Sequence, residues 1–211
     1  EAGYHIDYAS ANLPRLFIAD SGCTNAVSVT HTVNIADNQW HMITGTKSGT
    51  SINIAVDGVF TTAVSTASVG SITNTKPFVI GDDGFADGAR NVRGLIDEVR
   101  FYNRALSDAE IKSLYDSVKP DKTNTSISQP QGTGRLDSGL SGYWKLDENT
   151  GTNASDESTG NHAGTISGPT WTTGHIGSAL SFDGTNDYVT MGDIDAMDGG
   201  KQLTATVWVK Q

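Results

Sequence analysis

The chain contains 211 residues, of which 36% are apolar and 24 are glycine, and its formal net charge is −10. An acidic balance of this size argues against a phosphate backbone or an anionic membrane as a partner, so we expect neither nucleic acid binding nor membrane insertion. Abundant Gly, Ser, Thr and Asn with few helix-favouring blocks are typical of short strands joined by tight turns. The composition therefore predicts an all-β protein.

The single cysteine, Cys23, excludes an intrachain disulfide. We expect a small buried or half-buried side chain here in preference to a reactive thiol. Because the chain begins with Glu1 instead of Met, we also expect an excerpt of a longer protein or a processed product. Any targeting segment of the parent protein would then lie outside this sequence.

Alternation of apolar and polar residues predicts a series of short strands in the first 81 residues. Asn12-Leu13-Pro14 is expected to be the turn between the first two strands. Asp57-Gly58 predicts a type I′ hairpin, whose two central residues need positive φ. An acidic, glycine-rich loop is expected over 82–90. The predicted strands are 4–8, 15–19, 27–35, 51–56, 59–63 and 78–81.

The sequence GLIDEVRFY, residues 94–102, predicts a strand whose alternation places Asp97 on the same face as Val99 and Phe101. A short helix should follow, because Ser107 and Glu110 form the capping pattern S/T-x-x-E. The apolar stripe of this helix consists of Leu106, Ile111 and Leu114.

After this helix the pattern changes twice. Residues 118–137 contain two prolines, few apolar residues and no periodicity, so we expect a linker with a root-mean-square span of roughly 25 Å. From residue 138 onward the strand-like pattern returns, beginning with LSGYWKLDE. The sequence therefore predicts two β segments, 1–117 and 138–211, joined by the linker.

Motifs in both segments resemble the laminin-G-like, concanavalin A-like jelly rolls. GLIDEVRFY, NRALSDAEI and the upstream WHMITG are similar to the closing part of that family, whereas YWKL, NHAG, GHIGSALSFDG, DYV and VWVK are similar to its opening part. The resemblance implies a sandwich of two antiparallel sheets, with one short helix after the GLIDEVRFY strand. It also implies that the two parts occur in inverted order along this chain.

Two explanations of this inverted order stay open. Either the excerpt cuts through a tandem array and leaves two incomplete domains, or the segments complement one another as a circularly permuted jelly roll. An isolated half would expose unpaired sheet edges and an apolar face, so we expect the segments to meet, in one chain or by a half-domain swap with a neighbouring chain. The strand that the family usually carries between the positions of Gln211 and Glu1 is not found.

The sequence argues against catalysis. The β-glucanases that share this jelly roll hydrolyse glycans with paired carboxylates at alternating positions of one strand. None of the glutamates of this chain stands in such an E-x-D pattern, and no G-x-S-x-G motif of a serine hydrolase occurs. The glutamates are Glu1, Glu98, Glu110, Glu148 and Glu157.

Calcium is the expected cofactor, with a structural role. In related jelly rolls an aspartate of the final strand and oxygens near the opening strand hold calcium, a hard cation that prefers oxygen ligands. The resemblance implies Asp97 and Asp147, with Asp183 or Asp187 as further ligands. The alternative is that Asp97 hydrogen-bonds a neighbouring loop and Asp183 is an ordinary turn residue.

A second acidic group is a weaker metal candidate than these aspartates. A solvated acidic hairpin explains it better than a metal site does. It consists of Asp82, Asp83 and Asp87.

Aromatic rings are candidates for ligand binding, because the face of a ring stacks on a pyranose. The resemblance implies that three tryptophans, Trp40, Trp144 and Trp208, stand on strands at core positions of the family. The candidate ligand-binding rings are Trp171, Tyr188 and Tyr4, and Tyr8 belongs to the same group of rings. The alternation of the strands does not determine which of these rings faces a ligand.

These observations favour a non-catalytic, extracellular or cell-surface module that recognises carbohydrate or protein, or acts in adhesion, within a larger repetitive protein. Its expected partner is a polysaccharide or a cell-surface protein. The alternative is a structural assembly unit that joins neighbouring copies by exchanging half-domains, and a glycan-active enzyme is the third hypothesis.

Overall fold

The computed structural model describes residues 3–9, 12–21, 23–70, 72, 76–81, 91–118, 136–194 and 202–211. Within these residues the chain forms sixteen strands and one helix. The predicted loop 82–90 and most of the predicted linker lie outside them. In chain order the elements are β1 (Gly3–Ala9), β2 (Leu13–Ala19), β3 (Ala26–Thr30), β4 (His41–Ser48), β5 (Ser51–Val56), β6 (Val59–Phe60), β7 (Val64–Ser65), β8 (Val79–Ile80), β9 (Arg93–Tyr102), α1 (Asp108–Ser117), β10 (Leu140–Trp144), β11 (Asn153–Ala154), β12 (Gly164–Ser167), β13 (Thr170–Thr173), β14 (Ser178–Asp183), β15 (Tyr188–Thr190) and β16 (Gln202–Lys210).

One large sheet and two small ones form the described fold, and every strand pair is antiparallel. The large sheet has the order β13-β14-β9-β16-β4-β5-β6, with β10 beside β9 and β7 beside β5. The small sheets are β1-β2-β3 and β11-β12-β15-β8. The predicted all-β sandwich with one short helix is confirmed, although two separate small sheets face the large one.

The main core lies between the inner face of the large sheet and the two small sheets. Leu16 and Ile18 of β2 and Ile166 of β12 belong to the same buried cluster as Ile43 of β4 and Phe101 of β9. Full burial of side chains of this size contributes roughly 1.5–3 kcal/mol each, so this cluster supplies much of the driving force for folding.

Helix α1 covers the opposite, outer face of the large sheet. Ser107 accepts the backbone N–H of Glu110, and the Glu110 carboxylate accepts the backbone N–H of Ser107, which confirms the predicted capping box. Ile111 and Leu114 are buried in a second cluster with Trp208 of β16. The predicted apolar stripe therefore packs the helix onto the sheet.

The alternation predicted for β9 is interrupted by a β-bulge. Register with β16 shifts here, and Glu98 has φ +55°, which is unusual for a side chain other than glycine. As a result Ile96 shares the main core with Val99 and Phe101, and Asp97 does not. The predicted common face of Asp97, Val99 and Phe101 is wrong, because periodicity does not reveal an extra residue in a strand.

The structure confirms the predicted hairpin at Asp57-Gly58 and corrects the predictions for the end of β3 and for Cys23. Asp57 and Gly58 have φ +54° and +77°, as the predicted hairpin requires. Strand β3 ends at Thr30, well before the predicted Ile35, and the His31 ring then binds the backbone N–H of Val33. Cys23 is exposed, so the predicted burial is wrong: it lies in the β2–β3 turn.

Strands of the two segments are neighbours in two of the three sheets. Strand β16 lies between β4 and β9, and β10, the first strand after the predicted linker, pairs with β9. Val118 and Leu136, which flank the linker residues outside the description, pack in the same apolar cluster. These two described residues on either side of the linker therefore lie in the same part of the fold.

We predict that the two segments close within one chain. A flexible tether between matched sites gives an effective concentration of order mM, whereas a second chain in dilute solution competes at micromolar concentration. Light scattering should therefore find a monomer in dilute solution, and deletion of residues 129–134 should leave it monomeric. An oligomer that persists to nanomolar concentration would exclude closure within the chain, and a soluble, folded fragment 1–117 would show that closure is not needed.

Candidate functional site

Two of the four aspartates predicted to bind metal hold the loop 174–178 between β13 and β14. Asp97 is fully buried, and its Oδ2 accepts the backbone N–H groups of His175 at 2.8 Å and Ile176 at 3.0 Å. Asp147 Oδ1 accepts the N–H of Ser178 at 2.9 Å. The structure thus brings Asp97 and Asp147 to the same loop from two different strand regions.

The environment of Asp97 disfavours its charged form. Burial raises the pKa of the Asp97 carboxyl to about 7, the negative charges of Glu98 and Asp147 act in the same direction, and the N–H groups of Ile176 and His175 oppose it. Its second oxygen, Oδ1, is buried without a hydrogen-bond partner. A proton or a cation bound at Oδ1 would neutralise the buried negative charge of Asp97 and give Oδ1 a partner.

The other two predicted metal ligands form a separate turn. Asp187 Oδ2 accepts the N–H of Asp183, and Asp183 Oδ1 accepts the N–H of Thr185, both at 2.8 Å. Asp183 lies five positions after Ser178 at the other end of β14, about 17 Å along the strand. The structure does not bring the four aspartates together.

The oxygen donors of Asp97 and Asp147 suit calcium chemically, and the unpartnered Asp97 Oδ1 is the observation that fits a hard cation. Among the residues that the structure describes, no group of three or more His, Cys, Asp or Glu side chains is arranged to hold a metal ion. The weaker candidates Asp82, Asp83 and Asp87 lie outside those residues.

The tryptophans predicted for the core are buried to different degrees. Trp144 and Trp208 have 0% and 1% of their surface exposed, which confirms the prediction for both. Trp40 is half-buried, and its ring centroid lies 5.7 Å from that of His175. The first two rings are therefore unavailable to a ligand.

The three candidate ligand-binding rings lie in three different sheets. Tyr188 is 36% exposed at the start of β15. Trp171 of β13 is half-buried, and its indole N–H donates to the Gly151 carbonyl at 3.0 Å. Tyr4 of β1 is half-buried and packs against the main core, as does Tyr8. Tyr188 presents the largest open ring of this set.

Tyr188 follows the turn that contains Thr185 and Asp187, and it lies opposite Ser167, the residue before Gly168. We call Asn91, Gly168, Thr185, Asp187 and Tyr188 the Tyr188 rim. The Asn91 amide donates to the Thr185 carbonyl across 94 residues of sequence. Gly168 has φ +95° and approaches the Asp187 carboxylate so closely that a Cβ atom there would collide with it. The rim therefore combines an exposed ring with a fixed carbonyl and amide, while the Asp187 carboxylate is buried.

His175 was not identified from sequence, yet it connects helix α1 to the aspartate-bound loop. Its Nε2 lies 2.6 Å from the Val118 carbonyl oxygen, which only accepts, so Nε2 carries the proton. Its ring stacks on Trp208 with centroids 3.8 Å apart. Burial lowers the pKa of His175, so the neutral ring is favoured.

A buried ionic network at the β9 bulge was likewise not identified from sequence. Glu98 Oε2 accepts hydrogen bonds from Arg100 at 2.5 Å and from the Tyr143 hydroxyl at 2.8 Å. The Arg100 guanidinium lies 4.0 Å from the Tyr143 ring centroid. Glu98 is thus neutralised by a cation, whereas retaining glycosidases place a second carboxylate about 5–5.5 Å away.

A profile of the concanavalin A-like lectin/glucanases superfamily matches residues 1–112 of the chain. No curated protein and no solved structure matches the chain. In the part of the chain that the structure describes, no helix has the length and apolar character needed to cross a membrane.

We predict that Asp97 makes the metal-free protein less stable as pH rises. A raised pKa means that the folded protein holds this proton more tightly than the unfolded chain, so the contribution is complete below pH ~4. It should then be lost as the pH rises to about 7, the pKa of Asp97 in the fold. Melting temperatures of wild type and Asp97→Asn in chelator, measured from pH 4 to 8, should show the wild type losing stability relative to the variant.

Asp156→Asn is a control of opposite sign. Burial raises the pKa of Asp156, but hydrogen bonds from the backbone N–H groups of His162 and Tyr143 outweigh it and the net pKa is lowered. Its stabilising contribution is therefore complete above pH ~4 and lost only below it, so the difference between wild type and Asp156→Asn should stay constant from pH 4 to 8. A constant difference between wild type and Asp97→Asn across this range would contradict the prediction.

Proposed function

Because the chain belongs to the concanavalin A-like lectin/glucanases superfamily, we propose that it is a non-catalytic recognition module of a secreted or cell-surface protein. At the level of the family, binding of carbohydrate or protein is the supported activity. The more specific proposal is that this chain binds a polysaccharide of the extracellular environment or a cell surface, as part of recognition or adhesion. A cell-surface protein is the other expected partner.

The exposure of Tyr188 is the observation that carries the binding proposal. Its ring is open to solvent, and the adjacent turn carries fixed polar groups such as the Asn91 amide bound to the Thr185 carbonyl, which suits the need of a sugar for one apolar face and several hydrogen bonds. Asp183 is exposed in the adjacent turn and gives this surface an acidic character, whereas Asp187 is buried and accepts the N–H of Asp183. A neutral polysaccharide therefore suits the Tyr188 rim better than an acidic one.

The Glu98 network supports the non-catalytic part of the proposal. Glu98 is 2% exposed and already bound by Arg100 and Tyr143. A general acid or nucleophile must reach the scissile bond, and a carboxylate under these contacts does not. The network instead stabilises the bulged strand.

A second candidate function is assembly by exchange of half-domains. Strand β16 pairs with β4 on one side and with β9 on the other, so the same pairs form equally well if β16 comes from another copy. At high concentration this exchange would give a dimer or a head-to-tail filament.

We also propose that Asp97 and Asp147 bind calcium at the loop 174–178. The unpartnered Asp97 Oδ1 and the proximity of a second carboxylate support this. Bound calcium would neutralise the negative charge of the buried Asp97 carboxylate. It would also hold the loop 174–178, which contains His175, in one position.

For ligand binding we predict that Tyr188→Ala lowers affinity for a neutral polysaccharide at least about tenfold. Loss of a stacked ring removes roughly 1.5–3 kcal/mol of apolar burial. The measurement is a glycan array with neutral polysaccharides, followed by titration of the strongest binder. Val59→Ser, an exposed apolar residue of β6 with 65% exposure, is the matched control and should leave binding unchanged.

Equal affinity of wild type and Tyr188→Ala would exclude the Tyr188 rim as the binding surface. Release of reducing sugar by the wild type, abolished by a single Glu substitution, would overturn the non-catalytic proposal.

For calcium we predict that excess chelator lowers the melting temperature of the wild type but not of Asp97→Asn. Binding to the folded state alone stabilises by RT ln(1 + [L]/Kd), about 2.7 kcal/mol at a hundredfold excess over Kd. Asp183→Asn, in the separate turn, should respond to chelator as the wild type does. An unchanged wild-type melting temperature after elemental analysis has verified calcium removal would contradict this proposal.

A further inference from the structure

Three polar side chains form a row across the centre of the large sheet. Thr44 of β4 lies directly opposite Thr206 of β16, and Thr206 lies opposite Arg100 of β9. Met42 and Trp208, each two residues away from a threonine of the row, pack in the cluster with helix α1. Since side chains two apart share a face, the row lies on the outer face, the side that the helix covers.

All three members have a buried polar atom without a hydrogen-bond partner. These atoms are Thr44 Oγ1, Thr206 Oγ1 and Arg100 Nη1, and the residues are 0%, 1% and 8% exposed. A buried hydroxyl or N–H without a partner costs roughly 1–3 kcal/mol, and nearly all such groups in proteins are paired with protein or water. The two threonine hydroxyls lie opposite one another on adjacent strands, which indicates that they share one hydrogen-bond partner.

The chemistry of the row selects a neutral occupant. Arg100 only donates hydrogen bonds, whereas a threonine hydroxyl both donates and accepts. An anion would be repelled by Glu98, which already binds the Arg100 guanidinium, and a cation would be repelled by the guanidinium itself. The near-zero exposure of the row excludes a large ligand, so the matching molecule is water.

The spacing also suits water. Directly opposite residues of an antiparallel pair have Cβ atoms about 4.5–5.5 Å apart, and the short threonine side chain keeps each hydroxyl close to its Cβ, so one water can hydrogen-bond both hydroxyls. The Arg100 guanidinium instead stacks on Tyr143 of β10, on the side of β9 away from β16. We propose that Thr44 and Thr206 form a buried water-binding site, with one ordered water between the two hydroxyls. The water joins β16 to β4.

Isosteric substitution distinguishes a hydrated row from a dry one. If the hydroxyls bind water, Thr44→Val and Thr206→Val in the full chain remove hydrogen bonds and should each lower the melting temperature by about 2–4 °C. If the hydroxyls are truly unpartnered, valine removes a penalty and the melting temperature should rise. An unchanged or raised melting temperature overturns the proposal.

Thr204→Val is the reference variant, because it shows how much the melting temperature falls when a threonine hydroxyl with known hydrogen-bond partners is removed. Thr204 lies on the same face of β16, accepts the N–H of Leu106 and donates to the Arg104 carbonyl, both at 2.9 Å. Its loss should lower the melting temperature whatever the state of the row.

A crystal structure of the full chain at high resolution tests the site directly. Wild type and Thr206→Ser, which keeps the hydroxyl, should show water within hydrogen-bond distance of Oγ at position 206 and of Thr44 Oγ1. Thr206→Val should lose the water between positions 44 and 206. A dry row in the wild type overturns the proposal even if the valine variants do not fold.

Discussion

The position of β16 between β4 and β9 is the constraint on which the other features of the fold depend. Strand β16 is hydrogen-bonded along one edge to β4 and along the other to β9, the strand that precedes helix α1. The even-numbered residues of β16, among them Trp208, pack against helix α1. Its odd-numbered residues, among them Leu203 and Val209, lie in the main core. Without β16 the sheet would have two open edges and two exposed apolar faces.

Polar groups buried beside this strand are the second organising feature. Asp97 binds two backbone amides yet keeps one oxygen unpartnered, while Glu98 and Arg100 neutralise one another next to it. A buried ion pair adds little net stability, but removal of one partner is costly, so such groups specify one arrangement of the strands. The bulge at Glu98 makes this arrangement possible, because it turns Asp97 away from the main core.

The proposed binding surface lies apart from these buried groups. The Tyr188 rim is built from turns and strand ends, and its polar atoms are held by contacts such as that of the Asn91 amide with the Thr185 carbonyl. Loops on a rigid sheet scaffold can change their ligand without disturbing the core, which is how one fold serves many recognition tasks. The family assignment therefore describes the scaffold and the general activity, and the proposed rim is the part that would select the ligand.

Sequence by itself determined the strands with strong alternation, the Asp57-Gly58 turn, the capped helix and the family, because each depends on neighbours in the chain. Tertiary structure alone decided that four candidate aspartates form two separate pairs and that Tyr188 is more open than Trp171. It also revealed the bulge at Glu98, the role of His175 and the row of Thr44, Thr206 and Arg100. The physical reason is that burial, register and electrostatic environment arise from residues up to a hundred positions apart, which no local pattern records.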